Sequence, residues 1–263
     1  TEKDIENAKF ILRFDDDEPL EDLISKYSVH EAQTYFEDFS KRYDFSYNLK
    51  FSTNISAAAM VQNNTQTLLL KKNHKFSKNQ LEVLANHEVG VHMVTTFNGL
   101  SQPLKIFSSG FPNNVETQEG LAVYSEYMSG CLTMKRLKEL AYRVIAADSL
   151  AKGYSFSDTF DLLHNQYKVK RDGAFTITLR VHRGGGFTKD HLYLSGLKKV
   201  YQYAQNDGDL DVLLTGKVTL EYADVIYRLQ ELGLAVTSKH FTDSYQTNKN
   251  TNTTIDFILN SLK

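Results

Sequence analysis

The spacing of hydrophobic residues predicts a helical start, a short β-rich stretch and a long helical remainder. The apolar positions that define two amphipathic helices before residue 43 are Leu20, Leu23 and Ile24 for the first, and Tyr35, Phe36 and Phe39 for the second. Three β-like runs follow at 47–51, 55–61 and 67–70, with the turn-forming pair at 63–64 before the last. A small sheet or hairpin is therefore expected, and 55–60 could be an edge strand or a core strand.

The pattern changes to helical periodicity after residue 71. Ser77 is a suitable N-cap for a helix that runs to the stop signal at Asn98-Gly99, and Thr117 can cap a second helix that ends near Met128. Further helices are predicted at 132–150, 157–167, 188–203, 220–232 and 255–262. We therefore predict an α+β fold that is mainly helical, with a small sheet before the helix of residues 87–92.

Composition and length narrow the class of protein. With 263 residues and only three prolines, the chain offers no convincing linker. We predict one domain over 1–263, with a helical packing segment at 1–43, a core at 44–235 and a C-terminal segment at 236–263. A net charge of −2 gives no reason to expect a nucleic acid or membrane partner.

Cysteine usage and hydropathy restrict the chemistry and the location. Cys131 is the only cysteine, so an intrachain disulfide and a zinc site of two or more thiolates are excluded. No apolar stretch approaches the roughly 18 to 20 residues of a membrane helix, and residues 1–4 do not resemble a signal peptide. A cytoplasmic location is the default expectation.

The segment His-Glu-Val-Gly-Val-His at 87–92 carries the main chemical signal. In zinc peptidases, two histidines at i and i+4 share one helical face and hold the metal, with a glutamate between them as base. Here the histidines are five residues apart, which rotates them by roughly 140° in a regular α-helix. Because a π-type turn absorbs one extra residue, we predict a bulge near Gly90 that brings His87 and His92 onto one zinc ion per chain.

A third protein ligand is needed, because catalytic zinc usually has three, with water at the fourth position. The candidates are Glu116, Glu119 and Glu126, which all lie on or beside the predicted helix that follows the motif. Glu119 could reach a metal from the start of that helix. Glu126 lies two turns along the same face and could orient a ligand from behind it. For Glu116, a solvated surface position is the preferred interpretation.

Three ordered motifs resemble one known family. The segment at 87–92, Gln-Glu-Gly-Leu-Ala at 118–122 and Arg-Gly-Gly-Gly-Phe-Thr-Lys-Asp at 183–190 are similar to those of the microtubule-associated tyrosine carboxypeptidase family. Its bacterial relatives are labelled flavohemoglobin expression-modulating QEGLA-motif proteins. The resemblance implies a gluzincin-like zinc carboxypeptidase with His87, His92 and Glu119 as ligands and Glu88 as catalytic base.

A carboxypeptidase must bind a free terminal carboxylate, which arginine does well through paired hydrogen bonds. Arg180 and Arg183 are the candidates, and Lys189 would open the next helix, whose N-terminus favours anions. Tyr193 and His182 are candidates for the donor that stabilises the tetrahedral oxyanion. The alternative is a simple glycine turn flanked by solvated basic residues.

The expected substrate is the C-terminal tail of a peptide or protein, ending in tyrosine or in another aromatic or acidic residue. Two other functions stay open. One is a gluzincin-like aminopeptidase or dipeptidyl-peptidase, because the signature of the dipeptidyl peptidase III family also has two histidines five residues apart. The other is a non-catalytic, zinc-containing regulatory binding protein, although retention of Glu88 favours catalysis. The sequence does not predict the oligomeric state.

Overall fold

The computed structural model describes residues 1–16, 24–184 and 188–263, and helix dominates this part of the chain. The α-helices are α1 Glu2–Ile11, α2 Val29–Ser40, α3 Lys78–Leu84, α4 Val94–Ser101, α5 Ile106–Ser109, α6 Asn114–Met128, α7 Met134–Ala151, α8 Phe156–Asp161, α9 Arg171–His182, α10 Leu192–Gln205, α11 Leu210–Leu213, α12 Ala223–Glu231 and α13 Thr253–Ser261. The segment Ala85–Met93 joins α3 to α4 and is π-helical; we call it the π segment. A second π turn, Leu162–Gln166, extends α8.

The sheet has three strands, β1 Asn48–Ser52, β2 Ala59–Gln62 and β3 Thr67–Lys71, in the order β1-β3-β2. β3 pairs parallel with β1 and antiparallel with β2. Its residues 67–70 are buried, as expected for a central strand. β2 therefore lies at an edge of the sheet, which decides between the two interpretations of residues 55–60 and shortens the predicted strand.

Two hydrophobic cores flank the π segment. The smaller core packs α2, the sheet and residues such as Phe36 and Leu68 against Val89 and Met93. The larger core joins α6, α7, α9 and α10 and includes Val91. Because the π segment presents apolar side chains to both cores, its backbone is held firmly from two sides.

Several helix boundaries differ from those predicted. Thr117 is not an N-cap: α6 begins at Asn114, and the buried Thr117 hydroxyl accepts a hydrogen bond from the Leu220 N–H at 2.9 Å. The helix predicted from residue 188 begins at Leu192. Helices α5, α9 and α11 are additional to those predicted, whereas α1 lies in the segment at 1–43 that was predicted to be helical. Gly173 and two threonines, which are weak helix formers, mask the periodicity of α9.

One predicted helix, built on Leu20, Leu23 and Ile24, falls mainly at 17–23, outside the described residues; Ile24 itself is exposed and non-helical. The glycines at 185–186 also lie outside the described part. Among the described helices, none has the length and apolar character that a membrane crossing requires.

Candidate metal centre and adjoining cavity

The π segment contains the predicted bulge, which extends well beyond Gly90. In a π-helix the backbone bonds from i to i+5, so residues five apart come to lie over one another. The His87 and His92 rings accordingly meet edge to face, with their centres 4.9 Å apart. The five-residue spacing of the two histidines, which does not suit a regular α-helix, therefore suits this π-helical backbone.

Three side chains, two of them from distant parts of the chain, donate hydrogen bonds to carbonyl groups of the π segment. Thr242 Oγ1 donates to Gly90 O at 2.7 Å, and Thr96 Oγ1 donates to His92 O at 2.7 Å. Lys217 Nζ also donates to His92 O, at 3.0 Å. A buried carbonyl without a partner is costly, so these bonds stabilise a helix type that is rare by itself.

His87, His92 and Glu119 form the metal-type cluster of this site, with one possible ligand atom from each lying within 4.8 Å of the others. Glu119 Oε2 is 3.4 Å from His87 Nε2 and 3.6 Å from His92 Nε2. This oxygen is buried and has no hydrogen-bond partner among the described residues. Two imidazole nitrogens and an unsatisfied carboxylate oxygen fit the donor set that zinc prefers.

Charge within the cluster also suits a cation. Burial opposes a charge on His87, but Glu119 and Glu126 outweigh it and raise the pKa of His87 to about 10. Burial lowers the pKa of His92. Burial also opposes the charge on Glu119, yet the two histidines hold the pKa of Glu119 well below its usual value. A metal ion bound by the cluster would displace the proton that these carboxylates favour on His87.

Glu126 holds His87 from the opposite side of the ring. His87 Nδ1 lies 2.8 Å from Glu126 Oε1, which directs Nε2 toward Glu119. Arg136 donates to both oxygens of Glu126, at 3.1 and 3.2 Å. Fully buried carboxylates of this kind orient metal-binding histidines and fix their tautomer. This geometry favours the orienting position proposed for Glu126 over direct ligation.

The residues next to Glu119 hold α6 in place. Gln118 Oε1 accepts from Thr95 Oγ1 at 2.8 Å, which ties α6 to α4 at the end of the π segment. Gly120 packs directly on Gly196 of α10, and a Cβ at Gly120 would meet the Gly196 carbonyl at 2.4 Å. The Gln-Glu-Gly segment thus combines a tether, a candidate ligand and a close helix contact.

Glu88 points into a cavity of about 490 Å³ that adjoins the cluster and that His87 also lines. Its Oε2 accepts a hydrogen bond from the Val61 N–H at 3.1 Å. Ala58 pairs with Lys71 through a backbone bond, so by alternation the polar groups of Ala59 and Val61 face away from β3. The cavity therefore has a carboxylate beside the outer edge of β2, and this carboxylate accepts from one N–H of that edge.

The structure distributes the four predicted substrate-binding residues differently. Arg180 and Tyr193 line the cavity. Arg183 does not line it; its Nη1 donates to Ser56 Oγ at 2.6 Å. The Lys189 ammonium is 3.5 Å from Glu119 Oε1, at the cluster rather than at a helix N-terminus.

The Tyr193 ring stacks on His87 with 6.3 Å between centres, while His182 lies beside Thr159, 2.9 Å away, outside the cavity lining. Glu116 is bound to Ser195 Oγ at 2.6 Å and Lys199 Nζ at 2.5 Å, and is not part of the cluster. The sequence interpretation missed Arg136 and Arg143, which line the cavity from α7. Their seven-residue spacing on one face of a helix was the available signal.

Fold and site together define a mainly helical α+β protein with a buried His-His-Glu cluster that could hold a metal ion. Residues 1–263 match the family described as "Microtubule-associated tyrosine carboxypeptidase", and the chain belongs to this family. A human protein named "Putative tyrosine carboxypeptidase MATCAP2" is 30% identical over 168 residues, which cover 60% of this chain and 31% of the human protein. The match thus spans about a third of that relative's length.

Proposed function

We propose that the chain is a zinc-dependent carboxypeptidase of the gluzincin type. It would remove the last residue, a tyrosine or another aromatic or acidic residue, from a peptide or protein tail. The observation that carries this proposal is the unsatisfied, buried Glu119 Oε2 between two imidazole nitrogens, beside a cavity that Glu88 lines. The family description supports the same reaction.

His87, His92 and Glu119 would hold the zinc, which when bound supplies Lewis acidity that polarises a carbonyl and acidifies water. Glu88 would accept the proton of the attacking water and deliver it to the leaving amine. The Val61 N–H, bonded to Oε2, fixes the orientation of this carboxylate. Proton transfer in both steps then uses one preorganised group.

Tyr193 is our candidate for the oxyanion donor. Burial, followed by the charge of Glu119, raises the pKa of Tyr193, so its hydroxyl stays protonated at neutral pH. A protonated hydroxyl beside the reacting carbonyl can stabilise the developing negative charge. The outer edge of β2 near Ala59 would pair with the extended backbone of the substrate, as strand addition does in other peptide-binding proteins.

The terminal carboxylate would be bound by an arginine of the cavity. Arg180 is the member of the predicted pair that lines the cavity, and Asp190 Oδ1 accepts from its Nε and Nη2 at 2.9 and 2.7 Å. This contact fixes the guanidinium but already uses two of its donors. Arg180 therefore lines the cavity with a carboxylate of the protein as its partner.

Two blocked peptides of otherwise identical sequence test the reaction. We expect the zinc-loaded chain to cleave an N-acetylated peptide with a free C-terminus and to release its last residue, detected by mass spectrometry. A C-amidated peptide should be cleaved far more slowly. The opposite preference would indicate an aminopeptidase, and cleavage of neither peptide in a library of C-terminal residues would count against an enzyme.

A further inference from the structure

Three arginines line the cavity that His87 and Glu88 also line. Arg136 and Arg143 come from α7, and Arg180 comes from α9. Arg136 is paired with the buried Glu126, and Arg180 with the buried Asp190. Both therefore have a carboxylate of the protein as their main partner.

Arg143 is different, because its donors are only partly used. Its Nη2 pairs with Glu139, which lies one turn before it on α7 and is 41% exposed. Its Nη1 is 3.9 Å from Asp190, too far for a hydrogen bond. Its side chain is only 7% exposed, and its Nε is buried without a hydrogen-bond partner in the described part of the chain. An unsatisfied, buried, charged donor is costly and indicates a missing partner.

We infer that Arg143 binds the free α-carboxylate of the last substrate residue and so determines exopeptidase specificity. This inference rests on the carboxypeptidase function proposed above. Glu139 and Asp190 stand on two sides of the guanidinium, so a singly charged group fits there better than a dianion such as phosphate. The planar guanidinium and a planar carboxylate also match in shape.

The distance between Arg143 and the His-His-Glu cluster has an upper limit that can be compared with the length of one substrate residue. The Arg143 guanidinium carbon lies 5.2 Å from the centre of the Tyr193 ring, and that ring centre lies 6.3 Å from the centre of His87. Laid end to end, these separations place the guanidinium within about 12 Å of the imidazole, while one extended residue spans about 3.5 Å. This upper limit leaves room for one residue between the scissile bond and its carboxylate, with a contact distance at each end, and excludes a long segment.

The test compares a free-acid peptide with its C-terminal amide, using zinc-loaded wild type and Arg143→Gln. Loss of one charge-assisted bond should lower kcat/KM for the free acid by about 10- to 100-fold and leave the amide rate unchanged. The acid-to-amide ratio therefore falls toward one. Arg228→Gln is the matched control, because Arg228 is an exposed arginine paired with Glu231, and its ratio should equal that of wild type.

Arg143→Lys is the second variant, in case Arg143→Gln does not fold. It keeps the charge but removes the Nε donor, so its kcat/KM should also fall at least 10-fold for the free acid only. Zinc content and thermal stability are measured for each variant. An Arg143→Lys protein that is folded and keeps the wild-type ratio would overturn the inference and leave the proposed function intact. A wild type that cleaves neither peptide would overturn both.

Discussion

Replacement of Gly120 with alanine probes the helix contact that positions Glu119. A Cβ at Gly120 would lie 2.4 Å from both the carbonyl carbon and the oxygen of Gly196, and 2.8 Å from its Cα. These are backbone atoms of α10, so no side chain can rotate away. The two helices must separate by roughly 1 Å to restore ordinary contact distances of about 3.5 Å.

The expected cost follows from that displacement. Overpacking of a tight core typically costs about 1–3 kcal/mol, and the better helix propensity of alanine returns up to about 1 kcal/mol. Because backbone meets backbone here, we expect a net loss of about 2 kcal/mol in the free energy of unfolding. Since Glu119 directly precedes the contact, zinc affinity should fall as well.

Urea unfolding and zinc titration measure both effects. Gly173→Ala is the control, because Gly173 lies in α9 and a Cβ there meets the flexible side chain of Val169, at 3.4 Å from Cγ1. That variant should be unchanged or more stable by up to about 1 kcal/mol. If Gly120→Ala unfolds at the wild-type urea concentration and binds zinc as tightly, the proposed link between this helix contact and the metal cluster is wrong.

Three further predictions concern the surroundings of the cluster. Thr242→Val should lower the free energy of unfolding in urea by about 1–3 kcal/mol, because it leaves the Gly90 carbonyl without its 2.7 Å bond. The control is Thr34→Val at an exposed position, which should change it by no more than about 0.5 kcal/mol. Equal changes in the two variants would contradict the prediction. Zinc uptake at pH 7.5 should release about one proton per chain from His87, whose pKa is about 10, measured by calorimetry in buffers of different ionisation enthalpy; zero release would contradict this. Burial lowers the pKa of Lys217 to about 7. Between pH 7 and about 10 the unfolded chain therefore binds one more proton than the folded chain, and the free energy of unfolding rises with pH. Lys217→Met should remove this rise, and an unchanged dependence of the free energy of unfolding on pH would refute the prediction.

The local pattern predicted the two histidines of the cluster and limited its third member to three glutamates. The five-residue histidine spacing required a departure from the α-helix, and the structure contains that departure at Ala85–Met93. Glu119 was distinguishable from Glu116 through the resemblance and its place in the helix. The existence of β3 also follows from a short apolar run, whereas the edge position of β2 and the order of the strands do not.

Long-range contacts were beyond the sequence. Thr242 and Lys217 lie more than 100 positions from the carbonyls they bind, and nothing in the local sequence marks either side chain as buried. That Arg180 and Arg143 line the cavity, and Arg183 does not, depended on how α7 and α9 pack around it. Hydrophobic periodicity identifies which face of a helix is buried, but it does not identify the helix that packs against that face.

The most direct measurement of the central claim pairs zinc content with peptide hydrolysis in Glu88→Gln and Glu119→Gln. If Glu88 moves protons and Glu119 holds the metal, Glu88→Gln keeps one zinc per chain but loses hydrolysis by orders of magnitude. Glu119→Gln should lose both zinc and hydrolysis. A Glu88→Gln chain that cleaves at the wild-type rate, or a Glu119→Gln chain that retains full zinc affinity and activity, would contradict the account.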